Sequence, residues 1–289
     1  MTIERLDVRE LLKSASRLPT LPAIAMEIVK VSNDPHTAAE DISRLLAMDQ
    51  SLSARILRMV NSSYYGVRNS VSSIRQGVVI LGFETVRTLA MSTAIMDKFT
   101  SEDGDAAARS EFWKHSLGVA MAARVLARHL KKGNDEQELF YMAGLLHDIG
   151  KVILDQYFHE THREILRRAA ERGESYYAAE REVNSISHDE IGAFLAQQWG
   201  LPPAIVSAIR HHHDPMKAPG DFAVVDAVHF ANILTKIKAL GSGGDDDITG
   251  LSEESVARLG LSESDVAVVA EVELPHEFEG AKELLALLD

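Results

Sequence analysis

The stretch Tyr141-Met-Ala-Gly-Leu-Leu-His-Asp-Ile-Gly-Lys151 places His147 and Asp148 side by side after an apolar run, with Gly150 and Lys151 just behind. Imidazole suits zinc, iron, manganese and similar ions, and carboxylate suits the harder cations. Successive residues of a helix project about 100° apart, so such a doublet can serve two metals or two sides of one. Two good ligands at the end of a buried-looking helix make this the point for which the rest of the chain reads as scaffold.

Working outward, the chain holds 12 histidines. Five of them fall where a metal site can use them, together with Asp148: His115, His147, His188, His212 and His213. The steps from 115 to 147, 147 to 188 and 188 to 212 are 32, 41 and 24 residues, about one helix plus a return. Successive antiparallel helices can therefore bring them to one end of a bundle, as in metal sites built in bundle cores. His36, His129, His159, His162 and His276 read as surface or satisfied packing residues. The run 211–213 alone would be a polar helix end, where imidazolium meets the C-terminal dipole. The two doublets and two single histidines together carry the metal reading. Lys151, one turn from His147, is either a cation offsetting phosphate charge or an ordinary solvated lysine.

Nearly the whole chain reads as helix, because apolar residues recur at three and four spacing and alternating β-branched runs are absent. Helices are expected over 3–15, 23–32, from the capping box Thr37-Ala-Ala-Glu40, and from Asp49. Further ones follow from Ser72 to Leu81, over 83–98, and over about 108–131. Another ends at His147-Asp148, and two more cover 151–172 and 175–184. Ser187-His-Asp-Glu190 is a second capping box, which puts His188 in a first turn. A helix then runs to His211-His-His213, and one from Asp221 to about Leu240 carries Asp226, His229 and Asn232. The polar Thr100-Ser-Glu-Asp-Gly-Asp105 is the internal boundary. Gly241-Ser-Gly-Gly-Asp-Asp-Asp247 is flexible by composition. The expected division is 1–105, 106–240 and an acidic helical tail, 241–289.

With 289 residues, 46% hydrophobic and 25% charged, there is ample material for a core. The absence of cysteine excludes disulfides, thiolate zinc sites and cysteine nucleophiles. No apolar run is long enough to span a bilayer, and the N-terminus has no signal-peptide pattern, so a soluble cytoplasmic chain without a membrane role is expected. Of the net charge of −13, residues 241–289 supply −11, from 13 acidic and 2 basic side chains. Neither part shows a nucleic-acid footprint, so direct nucleic-acid binding is not expected. The tail reads as a solvated face, or else as a docking surface for a basic partner. No phosphate-cradling glycine loop or nucleophile elbow is present.

Gly144-Leu-Leu-His-Asp-Ile-Gly-Lys151 resembles the signature of the HD superfamily of metal-dependent phosphohydrolases. Leu18-Pro-Thr-Leu-Pro22, Asp49-Gln-Ser-Leu-Ser-Ala-Arg-Ile-Leu-Arg58, Asn61-Ser-Ser-Tyr-Tyr-Gly66 and Ile80-Leu-Gly82 narrow the resemblance to the HDOD family, a bacterial signalling relative. Trp199-Gly-Leu-Pro202 and the stretch from Ile209 to Pro215 agree, so it covers roughly 14–240. The resemblance implies an all-α multi-helix bundle, with an N-terminal helical part packed on an HD-type helical core. It implies one or two divalent ions held by His115, His147, Asp148, His188, His212 and His213. Iron, manganese, zinc and nickel all suit such ligands. The final HD aspartate is replaced by Asn232, an uncharged and weaker ligand, and Asp226 could substitute only if its helix shifted. The Gly-Tyr-Pro element of cyclic di-GMP-hydrolysing relatives is missing after His213. The resemblance thus implies a regulatory module that binds a protein partner in a signalling pathway. The alternative is a metal-dependent phosphohydrolase acting on a nucleotide or phosphodiester, with Asp148 and Lys151 at its catalytic centre.

Overall fold

The computed structural model describes residues 20–32, 39–99, 106–220, 222–248 and 250–281. The helix expected over 3–15, the cap at Thr37, the boundary at 100–105 and the start at Asp221 lie outside the described residues.

No strand occurs among the described residues. The first helices are Ala23–Ser32 (α1), Ala39–Ala47 (α2), Gln50–Val60 (α3), Ile74–Leu81 (α4) and Phe83–Lys98 (α5). Next come Ala106–His129 (α6), Asn134–Leu146 (α7), Ile149–Tyr157 (α8), His159–Arg172 (α9) and Tyr176–Val183 (α10). His188–Gln198 (α11), Pro203–His211 (α12) and Phe222–Ile237 (α13) complete the central part. Glu253–Arg258 (α14), Glu263–Val268 (α15) and Leu274–Gly280 (α16) follow, and a π-helical turn, Val269–Glu273, joins the last two.

The starts follow local capping chemistry. Asp49 accepts the Leu52 N–H at 2.9 Å, and the expected Ser187–Glu190 capping box opens α11. The cap of α4 is Ser73 rather than Ser72, because Gln76 Oε1 draws the Ser72 N–H back while the Ser73 hydroxyl accepts from Gln76. The helix expected to run unbroken from 151 to 172 is instead two, α8 and α9. Phe158 leaves helical geometry (φ −139°, ψ 44°) and buries its ring at the corner. Core packing overrides local propensity there.

Helix α6 is the spine. It is buried from Trp113 to Ala127 over nearly every side chain and lies against α7 and α13. Helix α5 collects α1, α2, α3 and α4 on one side and meets α7 on the other, so it joins the N-terminal helices to the core.

The acidic C-terminal stretch is not simply the solvated face expected of it. Glu277 on α16 is 8% exposed and reaches Arg128 at 2.8 Å, Arg124 at 3.7 Å and the Tyr64 hydroxyl. Arg124 also faces Glu138 of α7 at 3.5 Å, bonds the Tyr64 hydroxyl and lies 4.6 Å from the centre of the Tyr141 ring. One guanidinium therefore ties the N-terminal helices, the spine and the tail together. The tail could do this because carboxylates with a buried cationic partner lose the reason to stay in water.

Replacing Arg124 by alanine leaves Glu138 and Glu277 buried without their shared cation. Losing one partner of a buried ion pair costs about 3–5 kcal/mol. Arg124→Ala is expected to lower the unfolding free energy measured by urea titration by that amount, while Arg167→Ala, on exposed pairs to Glu164 and Glu171, leaves it near wild type.

Candidate metal centre

The apolar end of α7, Phe140 to Leu146, is buried and carries the chain into the interior. His147 caps that helix, and Asp148 (φ −104°, ψ 13°) starts α8, so the doublet occupies a corner between two helices. Gly150 makes this corner possible. A Cβ at that position would lie 1.9 Å from the His188 carbonyl oxygen, so only glycine lets the first turn of α8 pass against the start of α11. That contact delivers His188 to Asp148.

Around Asp148 the expected side chains converge. His188 Nε2 lies 3.0 Å and His212 Nε2 3.5 Å from Asp148 Oδ1, and His147 Nε2 lies 3.2 Å from Oδ2. His213 Nε2 is 3.0 Å from His188 Nε2. Two groups of potential ligands share Asp148: Asp148, His188, His212 and His213, and His115, His147 and Asp148, each with donor atoms within 4.8 Å of one another. His115 comes from α6, the His147–Asp148 doublet from the α7–α8 corner, His188 from α11, and His212 and His213 from the end of α12.

The donor atoms fit a divalent cation. His115 Nε2, His147 Nε2, His212 Nε2, Asp148 Oδ1 and Asn232 Oδ1 are all buried and have no hydrogen-bond partner. Buried polar atoms are otherwise almost always paired, and these five belong to the expected ligand set. In His147 and His212 the opposite ring nitrogen is occupied. His147 Nδ1 pairs with Gly144 O at 2.8 Å, and His212 Nδ1 with Ile209 O at 2.7 Å. Both carbonyls belong to last helical turns, where oxygens lack intrahelical donors. Each ring thereby holds Nδ1–H and turns the Nε2 lone pair inward, the arrangement that orients metal-ligating imidazoles.

His188 is held differently. Glu180 of α10, itself fully buried, takes its backbone N–H at 2.8 Å and its Nδ1 at 2.7 Å. Burial lowers the His188 pKa, but Glu180 and Asp148 reverse this and carry it to about 9. Burial holds His212 down at about 4 and pushes His115 and His213 well below the usual imidazole range. Neutral imidazoles are the form a metal needs. Burial would raise the Asp148 carboxyl, yet His147 and Lys151 hold it well below the usual carboxylate range.

Lys151 is not a solvated lysine. Its Nζ donates to Asp148 Oδ2 at 2.8 Å and to the Gly243 carbonyl at 2.8 Å, and sits 4.7 Å from the centre of the Tyr176 ring. Asp226 is not a substitute ligand, because Ser255 and Arg258 take both of its oxygens. The stretch 241–247, expected to be flexible, forms a pinned strap. Ser242 N–H donates to Glu111 O at 3.0 Å, and Asp245 accepts from the Tyr176 N–H at 3.0 Å and pairs with Lys236. The strap passes so close that a Cβ on Gly243 would lie 3.0 Å from the His115 ring.

Three contributors were invisible to sequence spacing: Glu180, the strap, and His229, which binds the His212 carbonyl through Nδ1 at 2.7 Å. Glu180 and the strap reach the site from elements without a motif of their own, and His229 lies one turn before Asn232 on α13. Removing the charge of an outer partner of a metal-ligating histidine weakens metal binding about 10–100-fold. Glu180→Gln is therefore expected to lose metal to a chelator at about 10-fold lower competitor concentration or below, and Gly150→Ala to fall further by displacing α11. An unchanged affinity in Glu180→Gln would contradict the orienting role.

Comparison with known proteins agrees with this architecture. A crystal structure of an HDOD domain protein of unknown function from Geobacter sulfurreducens superposes with a TM-score of 0.78 at 30% identity, covering 97% of this chain and 95% of that one. A candidate phosphohydrolase from Shewanella amazonensis gives 0.77 at 26% identity, covering 99% of both chains. Among curated proteins, an uncharacterised Treponema pallidum protein is 29% identical over 223 residues, 76% of this chain and 42% of its own length. Cyclic di-GMP phosphodiesterase CdgJ of Vibrio cholerae is 30% identical over 106 residues, 37% of this chain and 23% of its own length. The chain thus spans under half the length of these curated relatives. The HDOD domain family model matches residues 18–215, and the chain belongs to the HDOD family.

Proposed function

We propose that this chain is a regulatory module of bacterial signalling, working in the cytoplasm, in which a buried centre of one or two divalent ions sets the shape that a protein partner reads. Closure is the observation that carries this reading. His115, His147, Asp148, His188 and His212 are each at most 1% exposed. The strap lies over the His115 side, fastened by the buried Lys236–Asp245 pair and by Lys151 on the Gly243 carbonyl. Among the described residues these five side chains are covered, and His213 alone of the set is partly exposed. Among the described residues, no helix is long and apolar enough to cross a membrane.

A phosphohydrolase is the second reading, and one observation favours it: Asp148 belongs to both ligand groups, as a carboxylate bridging two ions would. Bound metal would lower the pKa of a coordinated water and clamp phosphoryl oxygens. The residues would orient that chemistry through Glu180 and the helix-end carbonyls, and Lys151 would offset negative charge beside Asp148. The similarity to CdgJ adds to this reading. Against it stands Asn232, whose neutral amide holds a cation less well than a carboxylate.

The test combines elemental mass spectrometry with turnover of bis(p-nitrophenyl) phosphate. Protein purified without chelator or histidine tag is expected to carry about one or two ions per chain, lost in His147→Ala and Asp148→Ala. Metal-loaded wild type is expected to leave the diester intact. Turnover that depends on Asp148 would replace the regulatory reading with the hydrolytic one. A metal-free wild type, indifferent to added metal, would end both.

A further inference from the structure

A cavity of about 490 Å³ opens on the far side of His213, between α10, the start of α11 and the end of α12. Its lining includes Tyr177, Arg181, Asn184, Asp189, Arg210 and Lys217. Small-molecule sites span about 300–1,000 Å³, so the space suits a compact ligand.

The charges in this cavity are unevenly used. Lys217 is paired with Asp214 at 2.7 Å, Glu190 is taken up by the Ser187 cap at 3.1 Å, and Arg181 lies over the Tyr177 ring at 5.6 Å. Two opposite charges remain. Asp189 is 5% exposed, and its buried Oδ1 has no hydrogen-bond partner. Arg210, partly buried at the end of α12, makes no ion pair or hydrogen bond among the described residues. The two do not pair with each other. A buried ion without a partner is costly, and both would be matched by one molecule that carries an anion and a cation. The Asn184 Oδ1 accepts from the Ser185 N–H at 3.1 Å, and its buried Nδ2 has no partner.

The same balance decides against other ligands. The lining has three basic side chains, Arg181, Arg210 and Lys217, and three acidic ones, Asp189, Glu190 and Asp214. A polyphosphate would meet the carboxylates, and a divalent cation would meet the guanidinium groups. We propose that this pocket binds a small zwitterion of the amino-acid or dipeptide class, its carboxylate on the Arg210 fork and its ammonium on Asp189. Arginine matches carboxylate geometry in two parallel hydrogen bonds.

The pocket shares a wall with the metal centre. The Tyr177 ring stacks on the His213 ring, with centroids 4.2 Å apart and planes 14° from parallel. A zwitterion seated against Tyr177 therefore presses on the shell of His213, which suits an effector. Binding itself does not require metal, so the pocket stands even if the metal reading fails.

The test is a thermal-shift screen of the as-purified full chain against each common L-amino acid and L-alanyl-L-alanine, followed by calorimetry of the best binder. At least one is expected to bind, and its N-acetylated and C-amidated forms are each expected to bind about 10-fold or more weakly. Asp189→Asn is expected to abolish the difference between the free and acetylated forms. Arg210→Ala, on a partly exposed helix end, is expected to abolish the difference between the free and amidated forms. No binding by a folded wild type would overturn the proposal. So would tighter binding of inorganic phosphate or GMP, or binding that neither substitution weakens.

Discussion

The Asp148 carboxylate sits in the interior, 1% exposed, with five imidazoles and an ammonium around it. A buried charge persists only when it is matched by partners. Much of the structure near it serves that need. The corner between α7 and α8 places the carboxylate, Gly150 admits α11 so that His188 can reach it, and Lys151 neutralises one oxygen. The rings that face it are turned by helix-end carbonyls and by Glu180, so their Nε2 atoms point to the same space.

Chain beyond residue 240 packs on the spine at two places. The strap lies over the metal centre, and α16 delivers Glu277 to the Arg124 network that holds the N-terminal helices to the spine. Between them, Ser255 and Arg258 occupy both Asp226 oxygens. This acidic segment lies past the matched family region, which ends at residue 215. The buried Lys236–Asp245 pair fastens this cover.

The helices and the convergence of the histidines on Asp148 were legible because each had a local signal. The capping box at Ser187 located His188 in a first turn, and the apolar run before His147 located the doublet at a helix end. What escaped was long-range. Glu180 is eight residues from His188 and looks like any helical glutamate until α10 folds against α11. The Gly241–Asp247 stretch has the composition of a linker, yet glycines also permit close backbone approach, and only the position of His115 decides which applies. The same holds for the acidic tail, whose charge balance is local while the partners of Glu277, Arg124 and Arg128, lie some 150 residues earlier in the chain. Phe158 breaks a helix because its ring has a place in the core, which no periodicity encodes.

The most direct measurement is X-ray absorption at the edge of whichever metal the purified protein carries. The account predicts a first shell of nitrogen and oxygen at about 2.0–2.2 Å with no sulfur, and outer-shell scattering from several imidazoles that diminishes in His188→Ala and His212→Ala. A shell dominated by water oxygens, without imidazole scattering, would place the metal outside the Asp148 cluster and contradict the account.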